Sequence, residues 1–585
     1  MTILENIRLA SASAINKIKP GLEIKPEAFV YPPQSEMGDL SLPLFQPAKQ
    51  AGQNPAALAV ELADSLNQDL PPVFSKAAAA GPYLNFFLEP SGFIAFVMED
   101  ILRQDETYGR NHDGGGQPLM IEYSNGNTHK ECHVGHLRNI VYGAAVGKLL
   151  AASGWQVIPV SYINDFGGFT AKTLWFYLSE EKRLGKAEHN RLLESMENKG
   201  ALLGRYYALA CKRLEDEPEA KAQVSEIMKA IESRHGEIYE LWQKTRAWSL
   251  AQLQKIYEDL GVKFEKTFYE NEYLSQGLEI VQKLYGQNIL IKSQRAIIAD
   301  LEKYDLGVLP IIRGDGTSLY PVADLALAVV KLEYEPRLAQ SIYVVDVRQG
   351  LYFKQLFKVL ELMGYNQKFV HLGYDFVTLP DGLMSSRSGN VITYEEVLSA
   401  ALAEAIAETR ARHEDWDQDR INQIAKALAL GALKFEMLKV SRDKIIVFDI
   451  QEALRFDGYT AAYLQYTHAR LYSIFRKEAA NYHLINHDFS GLDAKQLALP
   501  VEFKLAAKLA RYGESVRQAG QEYDPAEISR YLFELCQLIN DYYHQAPIIS
   551  APDDLKNARL ALIKAASEVL ENGLHLLGIE ALKEM

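Results

Sequence analysis

The run PLMIEYSNGN (Pro118–Asn127) is an apolar strand pattern that stops in turn residues. Two histidines follow in ECHVGHLRN (Glu131–Asn139), and RNIVYGAAVGKLLAASG (Arg138–Gly154) then reads as a helix closed by Gly154. WQVIPVSYINDFGG (Trp155–Gly168) is the next strand. Strand, helix, strand on short connections is the βαβ unit of a parallel, doubly wound, Rossmann-like α/β sheet. Ligands bind such sheets beyond the carboxyl ends of the strands, so His133 is expected at a binding edge.

Outward from this unit, NHDGGGQ (Asn111–Gln117) is the clearest linker, because three consecutive glycines hold neither helix nor strand cheaply. A domain boundary is expected there. Residues 1–110 read as a small α+β domain, with a turn-rich segment at Tyr31–Gln50, a helix over Pro55–Leu70 and a strand over Gly81–Leu88. The α/β domain takes 117–400, with a charge-dense helical insertion over about 170–260. Strand patterns return at Ala296–Leu301, Leu309–Leu332 and Ser341–Gln349, which predicts that the sheet continues through them. From 401 to 585 the pattern is helical, predicting an all-α bundle.

Composition bounds the function classes. The chain has 585 residues, 48% hydrophobic and 24% charged, which is ordinary globular usage over roughly three to five domains. Its most apolar window, Ile140–Val160, is interrupted by Gly143, Gly147, Lys148 and Gly154 and excludes a membrane span. The start of the chain is amphipathic rather than secretory, so a cytoplasmic address is expected. Cys132, Cys211 and Cys536 lack C-x-x-C spacing and are expected as plain buried thiols. A net charge of −14 lowers the expectation of a nucleic-acid partner, although a local basic stripe can sit on an acidic protein.

The histidine pair admits three readings. Two surface histidines on a helix is the bland one. Zinc would need three or four ligands, and neither a Glu within the motif nor a downstream C-x-x-C completes a set. In the third, a nucleotide phosphate lies over the helix N-terminus, Gly135 lets a flat base approach the backbone, and imidazole N–H groups of His133 and His136 stabilise charge gathering on the phosphate.

His133-Val134-Gly135-His136 resembles the His-Ile-Gly-His motif of class I aminoacyl-tRNA synthetases, and LMSSRSGN (Leu383–Asn390) resembles their mobile Lys-Met-Ser-Lys-Ser loop. The segments around these motifs, YINDFGG, DGTSLYPVADLA, DVRQGLYFKQLF, YLQYTHARLYSIFRK and LHLLGIEAL, are similar to the arginyl-tRNA synthetase family nearly from end to end. GDLSLPLFQPAK and GPYLNFFL resemble its N-terminal domain, which touches the tRNA elbow. The resemblance implies an arginine–tRNA ligase: arginine and ATP give arginyl-adenylate, and the arginyl group then passes to the terminal ribose of its tRNA. Mg²⁺ would accompany ATP without a dedicated protein cage, no resident metal is expected, and the enzyme would act as a monomer. Two alternatives remain open, another class I nucleotidyl transferase and a synthetase-like RNA-binding protein with impaired catalysis.

The resemblance also implies site residues. ATP would be held by His133, Gly135, His136, Met384, Ser385, Ser386 and Arg387, with Lys130 and Arg387 sharing the charge of the departing pyrophosphate. Arginine's guanidinium calls for carboxylates. Glu122 and Asp324 match positions where the family contacts it, as do Asn127, Tyr320 and Gln349, with Ser124 beside them; a helix would stack Tyr320 and Asp324 on one face. Leu383 stands where many relatives have Lys, Gly126 where Pro is usual (a looser turn is expected), Tyr352 where His is usual and Ala323 where Arg is usual. In the bundle, Tyr463, Gln465, Tyr466, His468 and Arg470 are candidates for stacking on and hydrogen-bonding unpaired anticodon bases, within a segment expected to be partly core.

Overall fold

The structure, a computed structural model, describes residues 2–378, 392–455, 457–478 and 494–585. The N-terminal unit packs helices Ile3–Ile18 and Pro55–Leu66 on a three-stranded antiparallel sheet of β1 (Leu40–Pro43), β2 (Phe74–Ala80) and β3 (Tyr83–Leu88), in the order β1-β3-β2. The segment read as turn-rich therefore holds a strand, and also the helix Phe45–Ala51. Leu40 and Leu42 are buried by pairing with β3, a partner distant in sequence, so no local pattern announced them.

The central sheet contains β4 (Pro118–Glu122), β5 (Gln156–Ile163) and β6 (Lys266–Tyr269). The strands β7 (Ile291–Ser293), β8 (Ala296–Asp300) and β9 (Val308–Ile312) come next, then β10 (Gln340–Asp346) and β11 (Lys368–Tyr374). The central order is β11-β10-β4-β5-β6, parallel throughout. Both faces are covered: Leu119 and Ile121 join the core with Ile140 and Val141 of helix Val134–Ala152, while Met120, Ile158 and Val160 pack with Leu327 of helix Tyr320–Tyr334. Every β4 residue is consequently buried, as a parallel sheet requires. Gly143 lets that first helix lie close on the sheet; a Cβ there would meet the Tyr123 ring carbon at 2.3 Å.

The expectation that the sheet continues through Ala296–Leu332 is corrected. β7, β8 and β9 form a separate antiparallel sheet, and Tyr320–Tyr334 is a helix. Along β9, buried Leu309 and Ile311 alternate with exposed Val308 and Pro310, the signature of a strand with one wet face rather than of a doubly covered one. Of Ser341–Gln349, the part up to Asp346 does return to the central sheet, as β10, and Val347–Gln349 is a 3-10 turn.

Helices from Gly168–Leu184 to Glu237–Leu260 form the insertion, with a core of their own around Trp175, Leu203, Tyr206 and Trp242. Beyond Thr393, seven helices of eleven residues or more follow among the described residues, from Tyr394–Arg412 to Asp553–Leu576. The N-terminal unit is clamped to this bundle: Arg8 and Tyr31 both reach Glu514, Tyr108 stacks on Tyr512, and Phe93 packs on Phe503. Of the cysteines, Cys132 and Cys536 are buried as expected and Cys211 is half-buried. No helix among the described residues is long and apolar enough to cross a membrane.

One buried charge ties the histidine helix to the C-terminal half. Arg138, 1% exposed, donates to the carbonyls of Asp375 (2.6 Å), Phe376 (3.1 Å) and Lys444 (2.9 Å), and also to those of Ser441 and Arg442. Arg138→Met strands those acceptors, and stranding buried partners costs about 3 kcal/mol or more. The expected result is a first urea transition at clearly lower concentration, measured by tryptophan fluorescence.

Candidate active site

The strand order reverses between β4 and β10, and a cavity of about 680 Å³ opens at the carboxyl ends of these strands. Glu122, Ser124, Asn127, His136, Tyr320, Asp324 and Gln349 all line it. Tyr320 and Asp324 come from the first turns of one helix; Tyr320, 75% exposed, and Gln349 stand at the rim.

The approach to the histidines is strained and held. Ser124, Asn125 and His129 have φ of 75°, 40° and 59°, a left-handed region that side chains avoid unless their surroundings over-determine it. Asn139 Oδ1 accepts from the Ser124 N–H at 2.5 Å while its amide donates to the Val344 carbonyl at 2.8 Å, stapling the loop across the β4–β10 crevice. Ser124 Oγ is hydrogen-bonded to Tyr257, and the His129 N–H donates to Ser249. Asn139 carried no motif signal that sequence reasoning could use. At Gly126, where a looser turn is expected, the carbonyl accepts from the Asn164 N–H at 2.9 Å.

His133 caps helix Val134–Ala152, and the two imidazoles form a reciprocal capping box. The Gly135 N–H donates to His133 Nδ1 at 3.1 Å, and the His133 N–H donates to His136 Nδ1 at 3.2 Å. Gly135 leaves room for the folded-back ring; a Cβ would sit 3.0 Å from it. An Nδ1 that accepts must carry its hydrogen on Nε2, so both rings are fixed as Nε2–H donors. Burial, with Lys130 nearby, pulls His133 down to about 4. Burial and the adjacent His133 put His136 well below the usual imidazole value. Both rings are therefore neutral at pH 7. The Lys130 ammonium lies over the rings of Phe169 (4.7 Å) and Tyr207 (5.1 Å), beside a small recess that it lines with Asn127 and His136.

The acids are not equivalent. Glu122 is ion-paired with Lys331, both fully inside; burial would pull that lysine down, and Glu122, Tyr343 and Asp324 together offset this and leave it raised. Asp324 accepts a hydrogen bond from the Tyr352 hydroxyl. Burial pushes the Asp324 carboxyl up, Tyr352 and Lys331 pull it down, Glu122 pushes it up, and the balance is about 7.

These features coincide with a match of residues 97–450 to the catalytic domain of class I tRNA synthetases (R). Residues 5–88 match the arginyl tRNA synthetase N-terminal domain, and residues 464–585 the DALR anticodon binding domain. An arginine–tRNA ligase of Bdellovibrio bacteriovorus is 35% identical over 96% of this chain and 94% of its own. The chain belongs to the arginyl-tRNA synthetase family. A second arginine–tRNA ligase, from Clostridium botulinum, is 33% identical over 95% of each chain. The solved Thermus thermophilus arginyl-tRNA synthetase superposes with a TM-score of 0.79 at 27% identity, covering both chains in full.

Within this synthetase fold the remaining candidates divide. Leu383, Met384, Ser385, Ser386 and Arg387 lie outside the described residues. Ala323 is buried in the core. Gln465 and His468 are corrected as base-reading candidates: both are fully buried, donating to the carbonyls of Glu580 (2.9 Å) and Leu582 (2.8 Å). Three residues apart, they share the helix face that the C-terminal tail covers. Tyr463 accepts from Asn540, Arg470 lies over the Tyr543 ring at 3.9 Å, and Tyr466 is exposed.

Proposed function

We propose that this chain activates L-arginine with ATP and transfers it to the terminal ribose of its tRNA. The observation that carries this reading is the pair of neutral imidazoles, locked as Nε2–H donors at a helix N-terminus, of which His136 lines a cavity that holds an acid with no cation at ion-pair distance among the described residues. In the first step the arginine carboxylate attacks the α-phosphorus of ATP and pyrophosphate leaves. Donors aimed where charge develops act without reorganisation. In the second, a ribose hydroxyl attacks the activated carbonyl and AMP leaves. Mg²⁺ enters with ATP as part of that substrate. Asn127, Tyr320 and Gln349 would surround the amino acid, with Asp324 against its guanidinium. The tRNA would meet the N-terminal unit of residues 1–110 at its elbow and the 401–585 bundle at its anticodon, through Tyr466 and the Tyr463–Arg470 face. By family analogy the first step requires bound tRNA, and the reading takes the enzyme as a cytoplasmic monomer.

ATP–pyrophosphate exchange with arginine, with and without total tRNA, tests the reading. Arginine-dependent exchange supports it. RNA binding without exchange favours the impaired synthetase-like protein, and exchange with a different acceptor favours another nucleotidyl transferase.

The Lys130 ammonium supplies a further expectation. If it shares the pyrophosphate charge with the loop around Arg387, Lys130→Ala lowers kcat of activation with ATP KM within about twofold, and Leu383→Lys partly restores it. Pre-steady-state adenylate formation in the single and double variants checks this. A near-silent Lys130→Ala, or no recovery on adding Leu383→Lys, removes Lys130 from the reaction.

A further inference from the structure

Three carboxylates stand on the cavity wall: Glu122, Asp324 and Asp346. Two have cations of the chain itself, Lys331 on Glu122 and Arg348 on Asp346 at 2.8 Å. Asp324 has none within ion-pair distance among the described residues. Its partner is a neutral hydroxyl, that of Tyr352, which donates to Oδ2. That hydroxyl comes from a different element: Tyr352 is on the first turn of helix Gly350–Leu362, with its ring edge-on to Phe353 at 5.4 Å, whereas Asp324 is on helix Tyr320–Tyr334. The side chain of one helix thus meets the carboxylate on another.

We propose that Tyr352 is a positioning and specificity-determining residue: its hydroxyl holds the Asp324 carboxylate in the orientation a guanidinium fork requires, without contributing a competing positive charge. The inference rests on the pocket assignment above and deepens it. A lysine or arginine in place of Tyr352 would neutralise Asp324 internally, as Lys331 does Glu122, and would repel the substrate cation. A donating hydroxyl stabilises the anion yet leaves its charge for the ligand.

The same arrangement couples binding to a proton. Asp324 is faced by Glu122 at the end of β4, Tyr162 on β5, Glu270 at the start of helix Glu270–Gly286, Tyr343 on β10, Lys331 farther along its own helix, and Tyr352. Burial and Glu122 hold its carboxyl near 7 against Tyr352 and Lys331. Part of the population therefore carries a proton at neutral pH. A guanidinium is charged throughout and binds the carboxylate, so the proton leaves Asp324 for solvent as arginine enters.

The test compares the unaltered chain with Tyr352→Phe, Asp324→Asn and the double variant, in arginine-dependent exchange between pH 6 and 9 with tRNA present. Calorimetric titration of arginine in two buffers of different ionisation heat counts protons on the unaltered chain. Expected are proton release on arginine binding near pH 6 to 7 and none near pH 9. Tyr352→Phe raises the arginine KM on the order of tenfold at pH 7 with kcat within about twofold, and moves the pH below which KM climbs upward by about one unit. In the Asp324→Asn background, Tyr352→Phe adds nothing, because it acts through that carboxylate. An unchanged KM, an equal KM rise at every pH, full additivity with Asp324→Asn, or no proton release overturns the inference. If Asp324→Asn by itself leaves arginine KM unchanged, the pocket assignment fails and the inference goes with it.

Discussion

Asp324→Asn is expected to raise the arginine KM roughly 10²-fold while ATP binding stays close to normal, the scale for losing one member of a desolvated charge pair. The reason is the distribution of charge on the cavity wall. Lys331 already answers Glu122, so Asp324 is the carboxylate left to face the ligand. Asn keeps the shape and accepts from Tyr352, but it presents a dipole where a guanidinium needs a charge. Citrulline, which has arginine's outline with a neutral urea, should consequently gain ground relative to arginine in the variant. Competition between the two in the exchange assay reads this out, and an unchanged ratio places Asp324 outside the pocket. Stability moves in the opposite sense. Because the folded carboxyl sits near 7, above its ordinary value near 4, its contribution is fully present in acid and is lost as pH rises through about 7. Asn is neutral at every pH, so the ligand-less variant is expected to melt above the unaltered chain at pH 8, with the difference shrinking steadily below about pH 7 and gone only near pH 4.

His136→Ala is expected to lower the rate of adenylate formation by roughly 10²- to 10³-fold, the scale for removing one preorganised donor to a developing charge. Alanine also deletes the acceptor for the His133 N–H, which costs about 1 kcal/mol as a lost helix cap. Two further variants separate these roles. His136→Glu can complete a capping box but has no donor to offer, so it should keep the melting temperature and lose the rate. His136→Gln can do both and should recover part of the rate. Near-normal adenylate formation in a folded His136→Ala protein, or equal rates in the Glu and Gln variants, removes the donor from catalysis. The rings stay neutral down to about pH 5, since His133 lies near 4 and His136 well below its usual value. The acidic limb of arginine activation near pH 7 is then expected from Asp324, and it should vanish in Asp324→Asn.

Much of this was legible in local pattern. The apolar run of β4, the capped helix and the apolar run of β5 each declare their type within a few residues, and their short connections leave one topology, so His133 could be placed at a ligand edge before any coordinates. Helical spacing likewise put Tyr320 and Asp324 on one face. The family resemblance carried the two motifs and the acids. What it left undecided were the partners those acids take.

By itself, then, the sequence determined most element types, though not the helix Tyr320–Tyr334 inside a run that reads as strand, together with the order of the domains and the presence of two histidines at a helix start, because periodicity, caps and turns are local physics. Tertiary structure alone decided that Lys331, 209 residues from Glu122, would neutralise it, and that Tyr352 would reach Asp324 from another helix. It also decided that β8 and β9 leave the central sheet, and that Gln465 and His468 turn inward under the C-terminal tail. Each of these is a choice among chemically similar partners, made by which surfaces long-range packing brings together, and a contact across many residues leaves no trace in the residues on either side of it.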